Sequence, residues 1–244
     1  MVVNSHSLLL IRRTLVLFVL MACGLVVNAQ EAKKPDGPAY LSSLEAEVIQ
    51  EINLARAHPE KYVTYLQEYK KYYNGKICLS PSHQKPVMTF EGVAAIDEAI
   101  RFLQSSNPLG QLEASRGLSL GAKDHVLDMG QKGTSGHKGS DGSLPTDRVS
   151  RYGTWGSTMG EAILFEVTTP REMVMQLIID DGVRDRGHRK DVFEPSFQVA
   201  GVSIISRSSF GSFCVIDFAD GFTDKSPLAT DSEKIKGNKR GYRQ

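Results

Sequence analysis

Residues 197–206 read FQVAGVSIIS, and this stretch decides the class of fold. Its apolar and small residues occupy both alternating faces, which is typical of a β-strand that is buried on both sides. Gly211 then turns the chain, and residues 213–218 form a second short apolar run. Two such runs separated by a turn residue predict an antiparallel pair of strands near the end of the domain.

Upstream of this pair the sequence has mainly the periodicity of helices. Apolar residues recur at steps of three and four, as one buried helix face requires. Ser43, with Ala46 and Glu47 behind it, is close to a capping arrangement. The predicted helices run from Ser42 or Ser43 to His58-Pro59, from Lys61 to Tyr73, from Glu91 to Leu103, from Leu118 to Met129 and from Pro170 to Ile179. A short strand is expected at 163–167. Because the predicted helices come first along the chain and the predicted strands come late, the sequence predicts an α+β domain with the helices packed on a small sheet.

Residues 1–29 have the features of a cleaved signal peptide. Arg12 and Arg13 precede an apolar run that is short for a membrane span, and Val27-Asn28-Ala29 suits a signal peptidase. An uncleaved anchor and a lipoprotein attached through Cys23 are the alternatives. The rest of the chain is expected to comprise a flexible leader at 30–40, one domain at 41–223 and a disordered basic tail at 224–244.

The composition indicates an ordinary globular protein. It is 41% hydrophobic and 23% charged, and the formal net charge is +1. Nucleic acid is therefore not an expected partner. No second segment long enough to span a membrane follows the signal peptide. Cys78 and Cys214 remain in the mature chain, where they form either a disulfide or two separate buried thiols, and the sequence leaves both open.

Three charged residues, each preceded by glycine, are the candidates for a functional site. They are His137, Glu161 and His188. Two imidazoles and a carboxylate can hold a metal, move protons or bind a polar ligand, and we expect them to share one pocket. Neither HExxH nor Gly-x-Ser-x-Gly occurs, so neither a zincin nor a serine hydrolase is predicted. His125, in a predicted helix, is expected to be a packed or surface residue rather than a ligand.

These motifs, taken in order, resemble the CAP superfamily (cysteine-rich secretory proteins, antigen 5, pathogenesis-related 1), whose domain is also called the SCP domain. The resemblance covers about 41–222 and is closest to the microbial branch. It rests on Ile52-Asn53-Leu54-Ala55-Arg56 with Pro59, Gly136-His137, Asp147-Arg148, Tyr152-Gly153, Gly160-Glu161 and Gly187-His188-Arg189. It implies an α-β-α sandwich with a small antiparallel sheet between helices and a central cleft.

The resemblance also implies a cleft lined by two histidines and two acidic residues. His137, Glu161 and His188 match the first histidine, the first glutamate and the second histidine. For the second glutamate, the acidic residues that the preceding helix offers are Glu172, Asp180 and Asp181. Asp181 is chosen because it lies nearest to His188 at the helix end. We expect His137 and His188 to bind Zn²⁺ weakly, without hydrolysis.

Three functions are compatible with this sequence. The resemblance favours a secreted, non-enzymatic binding module for a lipid, a sterol or a peptide. The second function is a metal-assisted, peptidase-like hydrolase, with His137 and His188 as ligands and Glu161 as general base. The third is a structural or envelope-interaction protein in which these side chains only stabilise the fold.

Overall fold

The computed structural model describes residues 37–83 and 85–225. Helices form most of the first half of this region, as the periodicity predicts. They are α1 (Ser43–Ala57), α2 (Pro59–Tyr69), α3 (Val93–Ser105), α4 (Arg116–Lys132), α5 (Pro145–Ser150), α6 (Pro170–Ile179) and α7 (Gly187–Val192), and a 3-10 turn at Lys70–Tyr72 follows α2.

The strands form one main sheet and two small ones. They are β1 (Tyr73–Asn74), β2 (Ile77–Cys78), β3 (Val87–Met88), β4 (Glu113–Ala114), β5 (Gly153–Trp155), β6 (Met159–Phe165), β7 (Val199–Ser208), β8 (Gly211–Ala219) and β9 (Phe222–Asp224). The main sheet has the order β4-β7-β8-β6, and β8 is antiparallel to both of its neighbours. The short β4 pairs with β7 in parallel. The predicted antiparallel pair, β7 and β8, therefore lies at the centre of this sheet.

Helices cover both faces of the main sheet. On one face α4 packs against β7 and β8, and Val126 and Met129 meet Val215 there. On the other face α1, α2, α3 and α6 form a larger core, which contains Ile52 and Ile216. Because successive strand residues point to opposite faces, the odd-numbered positions of β8 face α4 and the even-numbered positions face the larger core. The predicted α+β class and α-β-α sandwich are confirmed.

The motif in α1 ties this helix to the chain around α7. Arg56 is 1% exposed, and its guanidinium donates hydrogen bonds to the carbonyl oxygens of Gly110, Val192 and Phe197. A buried guanidinium requires such acceptors, because an unsatisfied charged group inside a protein is costly. Arg56 thereby fixes the C-terminal end of α7, the helix that carries His188.

The start of α1 and the end of the domain differ slightly from the sequence prediction. Ser42, not Ser43, caps α1, and it forms a reciprocal capping box with Glu45. Asp224, expected in the disordered tail, belongs to β9, and its carboxylate accepts a hydrogen bond from the amide of Gly117 at the start of α4. The signal peptide, most of the leader and the tail from residue 226 lie outside the described residues.

The two cysteines of the described region are separate. Cys78 and Cys214 are free and buried, which corrects the possible disulfide in favour of the other alternative. Cys78 lies on β2 of a small sheet, whereas Cys214 lies on β8 of the main sheet. Among residues 37–83 and 85–225, no helix has the length and apolar character needed to cross a bilayer.

Candidate functional site

His137 is held against Glu161 at one side of the site. Glu161, near the start of β6, accepts a hydrogen bond from His137 Nδ1 at 2.9 Å through Oε1. Gly136, with a φ of 78°, allows the turn that precedes His137. The Gly136 carbonyl accepts a hydrogen bond of 2.8 Å from Nε2 of His125. His125 is therefore a buried support for the loop of His137, consistent with the packed role expected for it.

Arg148, from α5, neutralises this side of the site. Its guanidinium is 2% exposed and donates to Glu161 Oε2 at 2.6 Å. The same guanidinium donates to the carbonyl oxygens of His137, at 3.1 Å, and Ser143, at 3.0 Å. A buried carboxylate is stable only beside a compensating charge, so Arg148 provides that charge and also holds the backbone that carries His137.

His188 is held against a different acidic residue on the other side. Asp180 follows α6 in the left-handed region, with a φ of 54°. Its Oδ1 accepts a hydrogen bond from His188 Nδ1 at 2.7 Å, and its Oδ2 accepts one from the His188 amide at 3.0 Å. The bond to Asp180 raises the pKa of His188 because it favours the imidazolium, although burial opposes this shift. The structure thus corrects the choice of Asp181: the acidic partner of His188 is Asp180.

Asp181 has another role. Its carboxylate accepts hydrogen bonds from the amides of Phe90, at 2.6 Å, and Glu91, at 2.8 Å, just before α3 begins. Arg186 strengthens this connection, because its guanidinium binds Glu91 and Glu98. The segment that carries His188 is therefore fastened to the N-terminal end of α3.

Asp191 completes the site and was missed by the sequence analysis. Burial raises the pKa of the Asp191 carboxyl to about 6, and the charges of His188 and His137 act in the opposite direction. Both imidazoles therefore lie within electrostatic range of this one carboxyl, and a single pocket shared by His137, Glu161 and His188 stays a prediction. A Cβ on Gly160 would lie 2.5 Å from an Asp191 oxygen, which explains the glycine before Glu161. Asp191 follows His188 by three residues on one helix, and side chains at this spacing are neighbours. This spacing is the signal from which the sequence could have predicted Asp191 as part of the site.

The described residues provide few of the ligands that a metal ion needs. Each candidate histidine has Nδ1 bonded to a carboxylate and keeps Nε2 for a ligand, an arrangement common in histidines that bind metals. Within the part of the chain that the structure describes, no group of three or more His, Cys, Asp or Glu side chains is arranged to hold a metal ion. Structural zinc sites use four protein ligands and catalytic ones use three. Weak Zn²⁺ capture by His137 and His188 stays a prediction.

A cavity of about 410 Å³ opens beside His188. Asp180 and Asp181 line it together with His188, and so does the C-terminal part of β6. Its lining also includes three of the most exposed large apolar side chains of the described region, which are Met88, Phe90 and Phe165 at 70%, 76% and 51% exposure. The cavity thus combines polar groups with apolar side chains that face solvent.

The model of the cysteine-rich secretory protein family (CAP) matches residues 49–218, and the chain belongs to that family. The family resemblance of the sequence motifs is therefore confirmed.

Two solved structures are similar to this chain at low sequence identity. An outer surface protein from Borrelia burgdorferi is 16% identical with a TM-score of 0.40, and the match covers 55% of this chain and 91% of that one. An extracellular protein from Bacillus anthracis that contains an SCP domain is 17% identical with a TM-score of 0.37, and its match covers 52% of this chain and 38% of that one. No curated protein matches this chain.

Proposed function

We propose that this protein is an exported, non-enzymatic binding module whose cavity beside His188 takes a small amphipathic ligand, a lipid or a sterol. The observation that carries the proposal is the cavity itself. Soluble proteins seldom leave neighbouring large apolar side chains in water unless these side chains meet a partner. Met88, Phe90 and Phe165 line a single cavity and are each more than half exposed.

The size of the cavity suits such a ligand. Ligand pockets usually measure about 300–1,000 Å³ and are mostly apolar with a few polar groups. The apolar part of the ligand would cover Met88, Phe90 and Phe165, and each side chain that becomes fully buried contributes about 1.5–3 kcal/mol. A hydroxyl or similar polar end would bond to His188, whose Nε2 is the ring nitrogen not used by Asp180.

The hydrogen bonds of Glu161, the candidate general base, favour a binding role over a catalytic one. Both oxygens of Glu161 already accept hydrogen bonds, one from His137 and one from Arg148. A general base must instead reach the proton that it removes from substrate or water. Glu161 is also buried, at 7% exposure. This bonding favours a carboxylate that positions His137.

A peptide is the second candidate ligand. Among the described strands, β6 pairs only with β8 and forms an edge of the main sheet. Residues 163–166, at the end of this strand, line the cavity. An extended peptide that added to this edge would gain backbone hydrogen bonds and place alternate side chains in the cavity.

Binding of a fluorescent sterol, and separately of a fluorescent phospholipid, tests the proposal. The protein is purified after export and titrated in the presence of EDTA, since no metal is required. Phe90→Ser should weaken binding at least about tenfold, because about 1.4 kcal/mol corresponds to a factor of ten. Phe210→Ser is the matched control: Phe210 is also exposed, at 55%, but is not part of the cavity lining. Its affinity should equal that of the wild type.

Three results would contradict the proposal in different ways. Absence of binding to both probes, together with capture of an extended peptide, would promote the second candidate. Equal losses in Phe90→Ser and Phe210→Ser would place the ligand elsewhere. A metal-dependent esterase or peptidase activity that Glu161→Gln abolishes, with folding intact, would replace binding by hydrolysis.

Export is tested separately by mass spectrometry of the mature N-terminus. Cleavage after Ala29 would leave Gln30 as the first residue. A lipid-modified Cys23 in that position would instead show a lipoprotein.

A further inference from the structure

Most of the buried side-chain atoms without a hydrogen-bond partner in the described region surround Glu161. These atoms are Nδ1 of His125, Nε of Arg148 and both carboxyl oxygens of Asp217, and the remaining one is Oγ1 of Thr168. Native proteins contain few such atoms, and each one calls for a physical explanation. Asp217 stands out because both oxygens of a fully buried carboxyl are involved.

Asp217 lies beside Glu161, on the neighbouring strand of the main sheet. On the central strand β8 it is paired with Glu161 of β6 on one side and with Gly201 of β7 on the other. As an odd-numbered position of β8 it faces α4, which contributes His125, and α5, which contributes Arg148. The charged and titratable groups that act on Asp217 from the elements packed around it are therefore Glu161 and Arg148, with His125 nearby on α4.

The charges of this cluster do not allow two ionised carboxylates. Arg148 supplies one guanidinium, and this guanidinium is bonded to Glu161. His125 supplies no charge, because burial lowers its pKa. An ionised Asp217 would thus be a second buried anion without a partner of its own, at a cost of several kcal/mol. Burial, and next the negative charge of Glu161, raise the pKa of Asp217 well above its usual range.

We infer that Asp217 carries a proton, donates it in a hydrogen bond to Glu161, and through this bond orients the Glu161 carboxylate toward His137. The two oxygens of a carboxylate offer about four acceptor sites, so Glu161 accommodates this donor in addition to His137 and Arg148. Asp217 and Glu161 are directly opposite residues of the antiparallel strands β8 and β6, so their side chains leave the sheet on the same face and lie side by side. Asp217 is therefore a positioning residue that acts through Glu161. This inference concerns the His137–Glu161 pair and stands whether or not the cavity binds a lipid or sterol.

A pair of substitutions separates a neutral donor from a buried charge. Asp217→Asn keeps a donor of nearly the same shape without a charge, whereas Asp217→Ala removes the donor. Imidazole ¹⁵N NMR at fixed neutral pH reports the hydrogen bond of His137 Nδ1. Asp217→Asn should leave the His137 signals at their wild-type positions, and Asp217→Ala should shift the Nδ1 signal. Asp220→Asn, an exposed aspartate bonded to Ser157, is the control and should leave His137 unchanged.

The wild-type protein provides a second measurement if Asp217→Ala fails to fold. The ¹³C signal of the Asp217 carboxyl should be that of a protonated acid at neutral pH, where an ordinary aspartate, which titrates near pH 3.9, is ionised. An ionised signal at neutral pH would overturn the inference. A His137 signal that moves in Asp217→Asn as far as in Asp217→Ala would also overturn it.

Discussion

His137 and His188 form the same kind of hydrogen bond, but their electrostatic surroundings differ. In each, Nδ1 is bonded to a carboxylate whose side chain alone is 2% exposed, Glu161 for His137 and Asp180 for His188. Glu161 is neutralised by Arg148, so the His137 side is already balanced when the imidazole is uncharged. Among the described residues no guanidinium is bonded to the Asp180 carboxylate, which accepts only the backbone amide of Arg189 from an arginine, and the charges of Asp191 and Asp185 also act on His188.

This difference shows that equal hydrogen bonds can lie in unequal electrostatic surroundings. On the His188 side, the hydrogen bond to Asp180 and then the negative charges of Asp180, Asp191 and Asp185 raise the pKa of His188, and burial raises the pKa of Asp191 nearby. The His137 side has its compensating charge fixed in a buried arginine. The stability of the site should therefore depend on Arg148 at one side and on pH at the other.

Loss of Arg148 should have the largest effect. Arg148→Met should reduce the free energy of unfolding by about 3–5 kcal/mol, because it leaves the buried Glu161 charge without a partner. Urea unfolding at neutral pH measures this loss. The control is Arg151→Met, three residues away, whose guanidinium pairs with Asp124 and Asp141 but is 43% exposed. Exposed ion pairs contribute about 1 kcal/mol or less, so equal losses in the two variants would contradict the comparison.

Neutralisation of Asp191 should stabilise the protein at alkaline pH. With its pKa raised to about 6, folded Asp191 binds its proton more tightly than the unfolded chain does. Its ionisation therefore costs stability as the pH rises from about 4 through about 6, and the full penalty, about 2–3 kcal/mol, is present above that range. Asp191→Asn should be more stable than wild type by this amount near pH 8. The gain should vanish below about pH 4, and a gain independent of pH would contradict the assignment.

The smallest effect should follow from Asp180→Asn, and it should depend on pH in the other direction. Asparagine also tolerates the left-handed backbone of this position, so the main loss is a charged acceptor for His188. The expected cost is about 1.5–2 kcal/mol near pH 5.5, where the imidazolium is present. Stability from a raised histidine pKa is complete below about pH 6.5 and is lost as the pH passes the raised pKa. The cost should therefore be smaller near pH 9, and His188 should titrate at lower pH by NMR.

Most of the fold could be predicted from the sequence. The spacing of apolar residues predicted α1, α3, α4 and α6 close to their observed bounds. Residues 197–218 indicated the central pair of strands. Short elements were missed for a physical reason. The helix α7 and the strand β9 span six and three residues, too few for a period to show, and tertiary contacts such as those of Arg56 and Asp224 hold them in place.

The site was only partly predictable. His137, Glu161 and His188 were found by their glycine neighbours, and two of these glycines have a clear reason, a positive φ at Gly136 and the approach of Asp191 to Gly160. Asp180 and Asp181 are adjacent in sequence, and only the direction of the chain after α6 decides which of them meets His188. Asp217 carried one available signal, a single acid within an apolar strand. Which acid is buried beside which arginine depends on strand pairing, which no local pattern specifies.

The attachment of Asp181 to the start of α3 has a consequence for motion. The segment from Asp180 to Arg186 is bonded to α3 through the amides of Phe90 and Glu91 and through Glu98, whereas the loop of His137 is bonded to α4 and α5 through His125 and Arg148. The two imidazoles are thus carried by segments that are bonded to different helical layers, on the two sides of the main sheet. Movement of one helical layer relative to the other would change the distance between the two imidazoles. Slow amide exchange at Phe90 and Glu91 should therefore accompany a site that keeps its width.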